Sequence, residues 1–169
     1  EINGHPLISK YFRAATPAEM VPETYRTSGF KDYGVPGWTI ADTVRALRDD
    51  EFFLDPTRIT LLCGRAGYDG SQFKGLLASD HDIQINKTSR NSVLVQININ
   101  NTRSDMAHLI KALADMARAI DKRLAEGGES DRAAFAARVK SLVEDVPDLP
   151  DFSRFHDAFR DNAKSATSE

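Results

Sequence analysis

Lys87, Thr88, Arg90 and Asn91 fill four of five consecutive positions and form the chain's densest group of side chains able to hold an anion. Cations, a hydroxyl and an amide on a fixed loop could bind a carboxylate or a phosphate through charge-assisted hydrogen bonds. The plainer alternative is a solvated hairpin tip, and spacing alone favours it. A second candidate is Gly64-x-x-Gly67-x-x-Gly70, which follows a strand and precedes a helix, the topography of a phosphate cradle. Its spacing matches neither the dinucleotide fingerprint nor the P-loop, and no Lys-Ser/Thr pair closes it, so it reads as an ordinary turn. His5, His81, His108 and His156 are scattered without metal-ligand spacing, which argues against zinc. Cys63 stands alone at the end of an apolar run and reads as a small core residue rather than a nucleophile. Asn86-Lys-Thr88 and Asn100-Asn-Thr102 match the glycosylation pattern by chance, since nothing points to secretion.

The elements that must position these residues centre on Asp82 to Asn101. Ile83 and Ile85 alternate with Gln84 and Asn86, and Val93, Val95, Ile97 and Ile99 alternate with Leu94, Gln96 and Asn98. Period-two alternation predicts two half-buried strands, joined by the polar loop Lys87–Asn91. Their polar face is mostly uncharged amide, which suits a surface that is wet in one state and docked in another. Upstream, the near-continuous apolar run Arg58 to Cys63 predicts a central strand buried on two faces, and Ser71 to Ser79 a short helix. Downstream, Thr102 or Ser104 caps a helix to about Glu126, whose stripe is Met106, Leu109, Ile110, Leu113, Ala117, Ile120 and Leu124. Gly127-Gly128 ends it. A further helix starts at Ser130 with Phe135, Val139, Leu142, Val143 and Val146 as its apolar stripe, broken by Pro147 and Pro150.

The fold class expected is α+β: a β-α-β-β-α small domain over residues 39–126, its short sheet packed on helices. Residues 1–38 form an irregular, aromatic-rich leader, because Pro17, Pro22, Gly29, Gly34, Pro36 and Gly37 forbid long regular structure. Such a leader is too apolar for a free linker and should be pinned onto something. Thr39-Ile-Ala-Asp42 has capping-box spacing and opens a short helix with Ile40, Val44 and Leu47 on one face. Residues 127–160 form a helical extension, with Phe152, Phe155 and Phe159 at helical spacing, and 161–169 a disordered tail.

Among 169 residues, 22 are Lys or Arg and 25 Asp or Glu, and the net charge of −3 leaves no basic footprint for nucleic acid. No apolar run reaches membrane-spanning length and no signal-peptide core precedes a cleavage site, so neither membrane nor secretion is expected. A single cysteine allows no intrachain disulfide and suits a reducing, cytoplasmic setting. The chain opens Glu1-Ile2-Asn3 without an initiator Met and reads as a piece of a longer polypeptide.

A resemblance extends this reading. Leu54-Asp-Pro-Thr-Arg-Ile-Thr-Leu-Leu62 resembles the entry to the small domain of the bacterial ornithine/lysine/arginine decarboxylases. Ile83-Gln-Ile-Asn-Lys87-Thr88, then Asn91 and the apolar strand, is similar to their hydrophobic-x-Glu-Lys-Thr-Gly-x-x-Asn block. Ala18-Glu-Met-Val-Pro-Glu-Thr-Tyr-Arg26 is similar to the stretch linking cofactor domain to small domain, and Pro150-Asp-Phe152 through Arg160 resembles the carboxy-terminal extension. The likeness runs from about residue 12 to about 125. It implies an aminotransferase-like fold and pyridoxal phosphate (PLP) in the intact enzyme, with the cofactor lysine, pyridine-binding Asp and phosphate-binding residues in a large domain outside this chain. No cofactor-binding residue, catalytic residue or metal ligand is expected here. What it assigns to this chain is a wall of the substrate cleft, with Lys87, Thr88, Asn91 and Gly64 as candidates, and part of the surface of a homo-oligomer. Asn86 stands where Glu is common and Ser89 where Gly is common, and the Gly64–Gly70 loop is shorter than in the inducible lysine enzymes. The substrate among ornithine, lysine and arginine is therefore left open. Two other readings stand beside it: a stand-alone small-ligand-binding regulatory module, and a structural assembly domain.

Overall fold

The computed structural model describes residues 1–145. It is an α+β fold whose sheet has four antiparallel strands: β1 (Arg13–Ala14), β2 (Arg58–Leu62), β3 (Lys87–Thr88) and β4 (Ser92–Gln96), in the order β1-β2-β4-β3. The helices are α1 (Pro17–Met20), α2 (Ile40–Asp49), α3 (Gly70–His81), α4 (Arg103–Glu126) and α5 (Glu129–Val143). Val146, Pro147, Pro150, Phe152, Phe155 and Phe159 and the expected tail lie outside the described residues.

The helix starts follow from side chains that satisfy the first free N–H groups. Thr39, Asp69 and Thr102 accept from the amides of Asp42, Gln72 and Asp105, and the last three side chains return the bond. α3 ends on Asp82 in the left-handed conformation, φ 54°. The α4 stripe falls as its period requires: Leu109, Leu113, Ala117 and Ile120 are buried against the sheet side, while Lys111, Arg118 and Lys122 are exposed. Together with Leu61, Val93 and Val95 of the sheet and Phe73 and Leu77 of α3, they form the core. Phe12 stacks on Phe73 with ring centroids 5.2 Å apart.

Three sequence expectations are corrected. The first strand of the hairpin does not run over Ile83–Asn86; only Lys87 and Thr88 pair with β4, opposite Leu94 and Val93. Residues 82–86 are held instead by the α3 terminus, where the Ile83 amide bonds to the Leu77 carbonyl at 2.9 Å, and by the buried Ile85. The loop therefore shrinks to Ser89–Asn91. Secondly, Ile99 does not continue the apolar face: it is 99% exposed, because the asparagines at 98, 100 and 101 fold into a turn closed by side-chain bonds. Thirdly, β2 is central in the sheet but not covered on both faces; Leu61 is buried, its neighbours Thr60 and Leu62 only half so.

The leader is irregular yet ordered. Its opening belongs to the core: Ile8, Tyr11 and Phe12 are buried, and β1 pairs with β2, Arg13 opposite Leu62. Beyond β1, polar bonds replace an apolar core. Buried Arg26 donates to the carbonyls of Val21 and Phe30 at 2.9 and 2.6 Å. Asp50 accepts from both the amide and the hydroxyl of Ser28, each at 2.7 Å, tying the leader to the end of α2. Phe30, Tyr33, Trp38 and Phe53 make an aromatic cluster over this frame. Ile40, Val44 and Leu47 of α2 share one face as expected, but that face looks outward, with exposures of 84, 55 and 57%.

Candidate functional site

Three glycines set the ground of the site, each for a steric reason. A Cβ on Gly64 would stand 3.0 Å from the Asn91 Cβ and 3.1 Å from a Val143 methyl. Gly67 has φ +77° and would meet the Phe135 ring at 3.0 Å. At Gly70 a Cβ would overlap the carbonyl oxygens of Ser89 and Ser92. The glycine-rich loop is thus a seat for α5 and for the hairpin loop, with its backbone groups spent on them: the Cys63 and Gly64 amides donate to the Asn91 carbonyl at 2.8 and 3.2 Å, and the Gly70 amide to Ser89 at 3.2 Å. The reading of this loop as a turn agrees with that packing.

Around that seat the structure brings the four candidate residues together only in part. Gly64 and Asn91 adjoin each other, in a small cleft of about 100 Å³ that Tyr11, Arg13, Arg65 and Val143 also line. Thr88 lies in a different, polar cleft of about 680 Å³, with Ser71, Ser89, Arg90, Arg138 and Ser141 around it. Lys87 lines neither, because successive residues of a strand point to opposite faces. The last turn of α5 divides the two clefts: Ser141 and Leu142 face one, Val143 the other.

The charges of the polar cleft are largely engaged. Arg138 holds Asp69 at 2.9 Å and also bonds Gln72 and the Gly67 carbonyl. Arg90 donates to the carbonyls of Ser141 at 2.7 Å and Asp145 at 3.4 Å, and Asn91 to that of Leu142 at 3.1 Å. Both satisfy carbonyls left open at the α5 terminus, where a cation also meets the negative end of the helix dipole. No carboxylate pairs with Arg90 among the described residues. Among the described residues the cleft has no histidine, and its one carboxylate, Asp69, caps α3 and pairs with Arg138. These residues offer donors for an anion and no acid–base pair.

The other reactive candidates are structural. Cys63 is fully buried, and burial pushes its thiol up to about 12, with Asp69 adding to the shift. His5 accepts from the Leu7 and Ile8 amides, and His108 bonds the His81 carbonyl at 2.7 Å. Among the described residues no group of three or more His, Cys, Asp and Glu could hold a metal ion, and no helix is long and apolar enough to cross a membrane. The residues present do not fit covalent attachment of PLP: no described lysine is buried, and none in the chain follows a histidine.

Arg138, Ser71 and Ser141 escaped the sequence reading. Arg138 stands three residues after Phe135 and one before Val139, so it shares the inward side of α5; that phase was its signal. Comparison with family models, curated proteins and solved structures returned no match to this chain.

Proposed function

We propose that this chain is the small domain, with the start of a carboxy-terminal extension, of a PLP-dependent decarboxylase acting on ornithine, lysine or arginine. The observation that carries the reading is the agreement between motif and element. The Leu54–Leu62 string enters β2, the Lys87–Thr88 pair forms β3, and Asn91 closes its loop against Gly64. The outward apolar face of α2 also supports a further body of protein, since a stripe of that kind usually marks a contact.

In this reading electron withdrawal from the substrate belongs to the cofactor domain, outside these residues. This chain contributes a positioned wall: Thr88, Ser89 and Arg90 offer hydroxyl and guanidinium donors to an anionic group, and α3 and α5 hold them in place. Alone, the chain does not catalyse. Homo-oligomerisation and a cytoplasmic setting are parts of the same proposal.

Two measurements test it. In the longer polypeptide, Thr88→Ala should lower kcat/KM about tenfold to a thousandfold, on the order of 1.4 to 4 kcal/mol. Full activity in that variant would reduce the loop to a hairpin tip. Reading the coding sequence upstream of Glu1 is the sharper check: a Ser-x-His-Lys motif supports the proposal, and an initiator Met directly before Glu1 removes it. A small-ligand regulatory module is the second reading. It is favoured by a cavity of about 480 Å³ between the leader, β2 and α4, with Ala15, Tyr33, Ile59 and Leu109 in its walls.

A further inference from the structure

We propose that α5 is a hinged strap, which lifts from the sheet edge as a unit and in doing so joins the two clefts into one trough. The inference rests on the proposed function only in naming that trough as part of a substrate or effector wall.

The contrast with α4 is the starting point. α4 buries seven side chains in the main core; α5, fifteen residues long, buries Leu142 alone, outside that core, with Phe135 and Val139 half-covered. A helix draws its stability in a protein mostly from the apolar face it buries, so α5 is held weakly by that means. Beside the contact of Phe135 with Gly67 and the core edge, what fastens its far end is polar. Arg90 and Asn91 take the carbonyls of Ser141 and Leu142, and Arg138 takes Asp69. These bonds can exchange for water, and lifting exposes only the small apolar contact of Phe135, Leu142 and Val143 with the glycine-rich loop.

The other end is a hinge. Gly127 closes α4 and Gly128 opens α5, and a Cβ on Gly128 would meet nothing within 4 Å. The space beside Gly128 is open, while Gly127 packs against the Arg123 carbonyl and Asp131, so the pivot falls at Gly128. Arg132 crosses the joint to the Leu124 carbonyl at 2.8 Å, keeping the hinge end of α5 attached when the far end lifts. No strand pairing depends on α5, because β4 and β2 pair with each other and with β3 and β1.

Lifting matters because of what the last turn separates. With Ser141, Leu142 and Val143 gone from the seat, Gly64 and Asn91 face the same space as Thr88 and Arg90. Three of the four candidate residues then form one continuous surface.

Hydrogen exchange on the whole chain tests the strap. In the unaltered protein, α5 amides should exchange about a hundredfold faster than those of β4, as a unit that opens below the global unfolding free energy does. Ala136→Pro, at an exposed position in mid-α5, should abolish α5 protection while α4 and β4 rates change less than about threefold. Alkylation of an Asn91→Cys variant should accelerate about tenfold or more when Ala136→Pro is added, with buried Cys63 as the slow internal reference. Equal α5 and β4 rates in the unaltered protein overturn the strap. So does loss of β4 protection along with α5 in Ala136→Pro. An unchanged alkylation rate overturns the joined trough. None of these readouts involves decarboxylation, so the strap and the proposed function can fail separately.

Discussion

Glycine at position 70 is explained by two oxygen atoms rather than by backbone conformation. Its neighbours Ser89 and Ser92 turn their carbonyls onto the place a Cβ would take, the Ser92 oxygen at 2.5 Å. Alanine is the better helix former by about 1 kcal/mol, yet Gly70→Ala should destabilise by about 2–3 kcal/mol, the usual cost of overfilling a packed site. Urea midpoints at constant slope would read it, and a gain in stability would show that the loop moves aside freely. Cys63 makes a prediction in pH. Its thiol, raised by burial from 9.0 to about 12, keeps its proton in the folded state while the unfolded chain gives it up. The unfolded state therefore binds fewer protons between those values, and stability falls as pH rises, by up to about 1.4 kcal/mol per pH unit. Tyr11, raised to about 12 by burial and by its bond to Asp121, adds a fall of the same sign from its own ordinary value of 10.0 upward. Cys63→Ala should flatten the slope between pH 9 and 10, and an unchanged slope there would show that the thiol titrates normally.

At the scale of elements, the sequence carried the helices well because their signals are local. Thr39 caps where its spacing to Asp42 says it should, Thr102 rather than Ser104 caps α4, and the α4 stripe buries the residues its period selects. Periodicity states which residues share a face, but not what the face meets. Ile40, Val44 and Leu47 illustrate the difference, since the same stripe would serve a core or a contact. Likewise the alternation at Ile83–Asn86 is real, with Ile85 inward and Gln84 and Asn86 outward, yet the α3 terminus claims the backbone before a ladder can form. Thr88, Asn91 and Gly64, singled out together in the sequence, line two separate clefts; their division by α5 was not legible, because that depends on where a distant helix comes to rest. The α2 stripe yields its own test. Ile40→Glu with Leu47→Lys should change stability by less than about 0.5 kcal/mol, as exposed positions do, and should weaken concentration-dependent association in sedimentation velocity. A large loss of stability would mean that the stripe is covered.

On the scale of the whole molecule, one prediction follows from which residues are absent from the fold. The purified chain should not take up PLP specifically, because no described lysine is enclosed and none follows a histidine. After dialysis against the cofactor, no stoichiometric imine absorbance should remain; a borohydride-trapped adduct on one lysine would contradict it.

The attachment of the opening residues has a consequence for how the chain is made. Tyr11 and Lys10 bond Asp121 at 2.5 and 3.2 Å across more than a hundred positions, and β1 finds its pairing only at Leu61 and Leu62. Synthesis from the amino end presents Ile8, Tyr11 and Phe12 well before their partners around Leu61 and Asp121. Closing so long a loop is slow relative to forming α4 or the β3–β4 hairpin. During synthesis these residues must therefore wait, exposed, while the body that receives them is still being translated. They are made before their partners and are among the last of this unit to be folded, and a holding chaperone would find its target there.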